Sequence, residues 1–212
     1  MDTAAEGHLQ NRVLPDGEVV AVPGRGLLMG NRGCLHDESR RLGVARWRHQ
    51  AWISCVLDWK GVRRDVMPPG RWTALFFLDE ATALAAGHRP CGYCRRSAFG
   101  AFAVAWREAA GLDRPPRAPV MDAALHAERV DRSRRKRTRW LLAEELPDGA
   151  VVRLDPGFAL VLGGSLRPWS WEGYGAPVPA PTARELEVLT PPSVLGALAA
   201  GYRPLLHPSV VA

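Results

Sequence analysis

The chain has 212 residues, of which 47% are apolar, so it can fill one large core or two small units that share a core. Its 28 lysine and arginine residues exceed its 22 acidic residues and give a formal charge of +6, a sign that favours a nucleic acid or another polyanion as partner. No apolar run reaches the roughly 18 residues needed to cross a bilayer, and the first residues lack the pattern of a secretory signal. We therefore expect a cytoplasmic protein without membrane contact, and the composition leaves its oligomeric state open.

The first predicted element is a β-hairpin within residues 14–31. Residues 14–20 read LPDGEVV, which is a Pro-Asp-Gly turn followed by a Val-rich strand. Residues 24–31 read GRGLLMGN and predict a second strand that ends in a Gly-Asn turn.

The next segment carries three possible metal ligands. Cys34 and His36 follow the Gly-Asn turn, and Cys55 lies on the predicted strand AWISCVLDW. Asp37 and Glu38, beside His36, form an acidic pair that would hold a divalent cation or stabilise positive charge developing on a sugar. Acidic pairs are also common on loops that have no function.

A short capped helix leads into the strongest motif of the chain. Asp79 is the predicted N-cap, an Ala/Leu helix follows, and Gly87 takes the left-handed position at its end. Cys91 and Cys94 then form a Cys-x-x-Cys knuckle. In a reducing cytosol this spacing indicates a metal site or a redox pair. The absence of a thioredoxin-like βαβ pattern favours the metal, and buried free cysteines are the remaining alternative.

Residues 76–96, FFLDEATALAAGHRPCGYCRR, resemble the zinc-binding domain of the Ada-type DNA alkylation-repair protein, and residues 29–38 resemble it more weakly. In that family an Ala-rich helix and Arg-Pro-Cys-x-x-Cys-Arg belong to a tetrahedral thiolate site. The resemblance implies a structural Zn²⁺ ion bound by Cys91 and Cys94. The family's second cysteine pair is absent here, and residues 40–71 look like an insertion. Two ligands therefore remain open among three candidates: Cys34, His36 and Cys55.

Residues 97–145 predict a helical connector. Residues 97–110 form an amphipathic pattern, and after a Pro-rich turn a second helix is predicted over residues 120–140. Asp122 and His126 share a face of that helix and would orient a base or activate water, with Glu128 nearby. On a solvated helix the same residues form only local ion pairs. The basic side chains at its end are predicted to bind phosphates: Arg129, Arg132, Arg134, Arg135, Lys136, Arg137 and Arg139.

The last part of the chain repeats the first. Residues 146–152 read LPDGAVV and residues 157–164 read GFALVLGG, while residues 197–204, ALAAGYRP, match ALAAGHRP at residues 83–90. We interpret this as a duplication in which the second copy has lost its cysteines. The loop-like stretch between its strands predicts an exposed stacking platform for an unpaired base, formed by Trp169, Trp171 and Tyr174.

These patterns predict an α+β fold with two duplicated small β-rich units, each a hairpin plus a short capped helix, flanking a helical connector. The expected parts are residues 1–96 with the zinc site, residues 97–145, and residues 146–212 as a degenerate copy that shares one core with the first unit.

Three functions fit the sequence. The first is a zinc-containing enzyme that processes nucleic acid, DNA rather than RNA, by base excision. The second is a non-catalytic zinc module that binds nucleic acid with strong salt dependence. The third is a zinc-stabilised protein-interaction factor whose positive charge is incidental.

Overall fold

The computed structural model describes residues 7–62 and 65–211, which form two β-sheets and four α-helices. The α+β class predicted from the sequence is confirmed. None of the helices in these residues is long and apolar enough to span a bilayer.

The first sheet is built from residues 12–90. Its strands are β1 (Arg12–Val13), β2 (Val19–Val20), β3 (Leu28–Asn31), β4 (Ile53–Val56), β5 (Leu75–Phe77) and β6 (Arg89–Pro90), in the order β2-β1-β5-β3-β4-β6. The Pro-Asp-Gly turn joins β1 to β2, and Gly17 makes it possible with a φ of 91°. β6 pairs in parallel with β4, so that Pro90 lies opposite Ser54.

Three helices follow β5 in the chain, and β6 lies between the first and the second: α1 (Glu80–Ala85), α2 (Arg96–Ala109) and α3 (Ala118–Arg129). The predicted N-cap of α1 is confirmed, because the Asp79 side chain accepts a hydrogen bond from the Thr82 amide at 2.9 Å. The predicted extension of α3 to residue 140 is wrong. The chain leaves the helix after Arg129 and turns at Asp131, whose carboxylate accepts the Arg135 amide.

The second sheet is built from residues 139–188, and α4 (Pro192–Ala199) follows it. Its strands are β7 (Arg139–Leu142), β8 (Val151–Arg153), β9 (Phe158–Leu162), β10 (Ser165–Ser170), β11 (Gly173–Tyr174), β12 (Val178–Pro179) and β13 (Glu185–Val188). The order is β11-β10-β9-β8-β13-β7, with β12 paired to β10. Short 3-10 helices cover Ala143–Glu145 and Pro208–Val211.

One apolar cluster joins the two sheets. Leu78 and Ala81, from the end of β5 and from α1, pack with Val151, Leu160 and Leu189 of the second sheet region. The acidic pair at the start of α1 adds polar links, because the Asp79 carboxylate accepts the Tyr174 hydroxyl at 2.7 Å. Residues of the first and second sheet regions therefore form one shared apolar core.

The sequence repeats share local structure but only part of their strand pairing. Both ALAAG helices end with the same two backbone hydrogen bonds. The amides of Gly87 and Gly201 donate to the carbonyls of Leu84 and Leu198. The amides of the next residues, His88 and Tyr202, donate to those of Ala83 and Ala197. β3 and its counterpart β9 each pair with the next strand in the chain, β4 and β10, but the second neighbour of β3 is β5, whereas that of β9 is β8. Helix α4 begins at Pro192 and has no side-chain N-cap like that of Asp79 in α1. A duplication stays a prediction.

Candidate metal centre and associated sites

Three cysteine side chains converge at the edge of the first sheet. The Sγ atoms of Cys55, Cys91 and Cys94 all lie within 4.8 Å of one another. The parallel pairing of β6 with β4 produces this arrangement, because the Cys91 amide, just after β6, donates to the Ser54 carbonyl at 2.9 Å. Cys55 is the neighbour of Ser54, so its thiol reaches the knuckle from the adjacent strand.

The knuckle stabilises a thiolate at Cys91. The Tyr93 amide points at the Cys91 sulfur, 3.4 Å away. The Cys55 thiol, together with the amides of Cys94 and Tyr93, lowers the pKa of Cys91 to about 5. The same interaction with Cys91, followed by burial, raises the pKa of Cys55. Negative charge therefore collects at Cys91, where a cation would neutralise it.

This donor set fits a zinc ion. Three sulfurs supply three corners of a tetrahedron, and thiolates select Zn²⁺ or another thiophilic metal over Mg²⁺ or Ca²⁺. Cys55, Cys91 and Cys94 would hold the ion, and the fourth corner would be filled by a ligand from outside this group.

The structure separates Cys34 and His36 from this cluster, which corrects the wider set of candidate ligands. The His36 ring is buried, with Nδ1 2.7 Å from Thr73 Oγ1 and Nε2 3.3 Å from the Pro68 carbonyl oxygen. Both ring nitrogens are thus occupied by protein groups. The Cys34 sulfur lies 3.7 Å from the carbonyl oxygen of His36.

A large cavity opens beside the three thiols. It has a volume of about 1150 Å³, and Cys55, Cys91 and Cys94 form part of its wall. Most of the remaining wall is apolar or aromatic. Its aromatic members are Trp59, Trp72, Phe76 and Tyr93, and its carboxylates are those of Asp58 and Asp65. The cavity is large enough for a flat ring such as a nucleobase.

The carboxylates predicted to be catalytic hold the fold together instead. Asp122 is buried and accepts two hydrogen bonds from Arg89, each 2.8 Å long. The expected Asp122–His126 pair does not form, since His126 Nδ1 lies 3.2 Å from an Arg129 nitrogen. Burial, and then the charge of Arg129, lowers the pKa of His126. The Glu128 carboxylate accepts the amide and hydroxyl of Ser193 at the start of α4.

The predicted acidic loop also lacks a link to the thiols. Asp37 accepts the Arg41 amide at 2.9 Å in an exposed turn, and it is not a member of the cysteine cluster. The Asp37 carboxylate therefore stabilises its own loop, apart from the thiols.

The basic segment divides into inward and outward residues. Arg129 is fully buried, and the ammonium group of Lys136 donates to the Ala85 carbonyl. The other predicted phosphate contacts are exposed: Arg132, Arg134, Arg135, Arg137 and Arg139. Among them only Arg135 has an ion-pair partner in the described residues, Asp131 at 3.2 Å.

The predicted stacking platform is not on the surface. Trp171 and Tyr174 are buried in the core shared by the two sheets, and the half-buried Trp169 donates its indole N–H to Thr82 Oγ1 at 3.0 Å. Helix α1 and the C-terminal segment cover this region, an effect that a Pro/Gly-rich composition does not reveal.

Two sets of aromatic residues were missed. Trp140 on β7 is 61% exposed directly after the basic segment. Of the tryptophans in the cavity wall, Trp59 lies in the insertion over residues 40–71 and Trp72 lies directly after it. The position of Trp140 directly after a run of arginines was the available signal. Comparisons with family models, curated proteins and solved structures give no significant match.

Proposed function

We propose that this protein binds Zn²⁺ through Cys55, Cys91 and Cys94 and acts on nucleic acid. The observation that carries the proposal is the convergence of three thiols from two separated segments. A redox pair needs only two sulfurs, whereas a third thiol from β4 is typical of a tetrahedral metal site. Because the wall of the cavity contains these sulfurs, the fourth ligand would come from a water molecule or a bound substrate.

The nucleic-acid partner is supported by the exposed arginines after α3. Five of them surround a turn and an edge strand, and four have no ion-pair partner in the described residues. Trp140 adds an exposed ring on which a base would stack. Phosphate contacts of this kind lose affinity steeply as salt rises.

Base excision is the activity that we propose for the cavity. An extruded base would lie among Trp59, Trp72 and Tyr93, with Asp58 or Asp65 activating a water molecule. The water would add to the sugar C1′ as the C1′–N bond breaks, and the base would leave with a proton. These two carboxylates replace Asp122 and Glu128 as candidates, because the latter are fully engaged with protein partners.

Metal content tests the first part of the proposal. Protein purified without added metal should contain one zinc per chain, and Cys55→Ser, Cys91→Ser and Cys94→Ser should each lose most of it. Cys34→Ser and His36→Ala are matched controls that should keep it. A wild-type protein free of zinc and other metals would contradict the site and leave the thiols as a redox or purely structural group.

Nucleic-acid binding and turnover test the rest. We expect single-stranded DNA to bind with an affinity that falls steeply between 50 and 200 mM salt, by roughly tenfold or more, and Arg137→Gln with Arg139→Gln to flatten that dependence. Release of free base, lost in Asp65→Asn or Asp58→Asn, supports base excision. Binding without any product supports the non-catalytic zinc module. Absence of binding at physiological salt favours a protein-interaction factor.

A further inference from the structure

A second group of charged side chains lies near the other face of the first sheet. Asn31 and Ile53 line the cavity at the thiols, whereas the adjacent residues Arg32 and Trp52 line a separate small pocket. Successive residues of a strand point to opposite sides, which explains the division. We call this second site the cation pocket, defined by Arg32, Arg129 and Lys136 around Trp52.

The cation pocket concentrates positive charge out of contact with bulk water. The guanidinium carbons of Arg32 and Arg129 lie 4.1 and 3.8 Å from the centre of the same Trp52 ring. Arg32 is 3% exposed and Arg129 is fully buried. Stacking on the indole accounts for part of their stability, but it does not neutralise their charge.

These cations bind neutral partners only. Arg32 donates to the Gly17 carbonyl, Arg129 donates to the carbonyls of Gly87 and Gln50, and Lys136 donates to that of Ala85. Within the described part of the chain none of the three forms an ion pair. Buried charges are normally paired, so this cluster lacks its counter-ion.

Unused hydrogen-bond donors remain in the same place. Arg32 Nη2 and Arg129 Nε are buried without a partner in the described residues. The pocket that Arg32, Arg129 and Lys136 line has a volume of about 40 Å³, which is room for one small group. Its other charged lining residues are Arg46 and Arg134 at the surface and the carboxylates of Asp16 and Glu18. Five cations therefore face two anions.

Mutual repulsion and burial show in the acid–base behaviour of the cluster. Burial, and the charges of Arg32 and Arg129, lower the pKa of Lys136 to about 7. Burial is also the largest cause that lowers the pKa values of Arg32 and Arg129 to about 9. An anion in the pocket would reverse these shifts.

We infer that the cation pocket binds a phosphate group. A tetrahedral oxyanion presents oxygens in several directions and suits two guanidinium groups and an ammonium group that converge on a small space. The group belongs either to free phosphate or to a phosphodiester. Arg134 links the pocket to the exposed basic segment, so both sources can reach it. The inference does not depend on the metal site or on base excision.

Equilibrium dialysis with labelled inorganic phosphate at constant ionic strength tests the inference. Wild-type protein should bind phosphate saturably, and Lys136→Met, which keeps the length of the side chain, should weaken binding roughly tenfold, the effect of losing one charge-assisted hydrogen bond. Arg134→Gln, at the mouth, should weaken binding in the same direction even if the buried variant folds poorly. Arg114→Gln is the matched control, because Arg114 is exposed and lies outside both the pocket and the basic segment; it should change binding less than about twofold.

Two results would overturn the inference: no saturable phosphate binding by the wild type, or equal binding by Lys136→Met, Arg134→Gln and Arg114→Gln. A single-stranded oligonucleotide then distinguishes the sources. If it displaces bound phosphate, the pocket binds a phosphodiester of nucleic acid. If both bind together, the pocket takes a free phosphate group. Protein treated with chelator should bind phosphate as well as untreated protein, which separates this result from the fate of the zinc proposal.

Discussion

At the residue scale, the buried Asp122 carboxylate stabilises the fold through its ion pair with Arg89. Its two hydrogen bonds to Arg89 join α3 to β6, just before the cysteine knuckle. Removing one member of a buried ion pair leaves the other charge unpaired, so Asp122→Asn should lower the free energy of unfolding by about 3 kcal/mol. Urea denaturation measures this loss.

Glu108→Gln is the matched control for that variant, because Glu108 pairs with Arg107 at the surface. Its effect on unfolding should stay below about 0.5 kcal/mol. If Asp122→Asn were as stable as the wild type but lost an activity on nucleic acid, Asp122 would have the catalytic role predicted from its sequence spacing.

Lys136 makes stability depend on pH. Its ammonium group is enclosed although the residue is only half-buried, and its pKa of about 7 lies below the ordinary value of 10.5. The unfolded chain therefore binds this proton more tightly than the folded chain, so the contribution of Lys136 to stability rises as the pH increases from about 7 to 10.5. Lys136→Met should lack this rise.

The measurement is the difference in unfolding free energy between wild type and Lys136→Met at several pH values. Subtraction removes the groups that titrate alike in both proteins and leaves the contribution of Lys136 together with that of groups coupled to it, such as His88. The difference should shift in favour of the wild type as the pH increases. A constant difference from pH 7 to 10 would mean that Lys136 titrates normally in the folded state. Sulfate, whose charge is fixed in this range, should bind more weakly as Lys136 loses its proton.

The candidate metal ligands show what sequence can determine about single residues. The Cys-x-x-Cys spacing and the resemblance around it pointed to Cys91 and Cys94, because a knuckle is a local motif. The choice among Cys34, His36 and Cys55 depended on the pairing of β6 with β4, which no local pattern specifies. The expected roles of Trp171 and Tyr174 failed for a similar reason, since the segments that cover them are distant in sequence.

At the element scale, the two Ala/Leu helices provide a matched pair of C-terminal caps. Gly87 and Gly201 have φ angles of 86° and 98°. A Cβ at residue 201 would meet nothing within 4 Å, whereas one at residue 87 would lie 2.5 Å from Arg129 Cδ. Gly201→Ala should therefore cost about 1 kcal/mol from backbone strain alone.

Gly87→Ala should cost at least about 1 kcal/mol more than Gly201→Ala because of overpacking against Arg129. Arg129 cannot easily move, since it is held by the carbonyls of Gly87 and Gln50. Thermal unfolding of both variants measures the difference. Equal losses would show that the Arg129 side chain shifts freely, which would weaken the rigid geometry of the cation pocket.

Helices were predicted well where one face is apolar and poorly where charge replaces it. The predicted helix over residues 97–110 differs by one residue from α2. The predicted continuation of α3 fails after Arg129. There Asp131 caps the Arg135 amide, which competes with helical bonding, and consecutive like charges repel one another along a helix. The apolar period alone does not reveal either effect.

At the scale of the whole molecule, the two sheets depend on each other. Glu80 of α1 accepts hydrogen bonds from Arg95, from the Tyr202 hydroxyl and from the Leu205 amide. The shared apolar cluster is also incomplete in either part. The sequence predicted a common core for residues 1–96 and 146–212, but it gave no indication of which residues join them.

Separate fragments test this dependence. Residues 1–96 and 146–212, expressed alone, should lack a cooperative thermal transition, because each would expose its half of the shared cluster. The full chain should unfold in one transition with the same midpoint by far-ultraviolet circular dichroism and by tryptophan fluorescence. A fragment that unfolds cooperatively by itself would show an independent domain.

The edge of the second sheet also bears on how copies of the chain meet. β7 pairs with β13 on one side, and its other side has no strand partner in the described residues. A free edge invites addition of a strand from another molecule. Arg139 lies on that edge and Arg137 just before it, both exposed, so two copies that approached edge to edge would bring like charges together. The arginines would thus oppose aggregation through β7, and a polyanion that neutralised them would remove this protection.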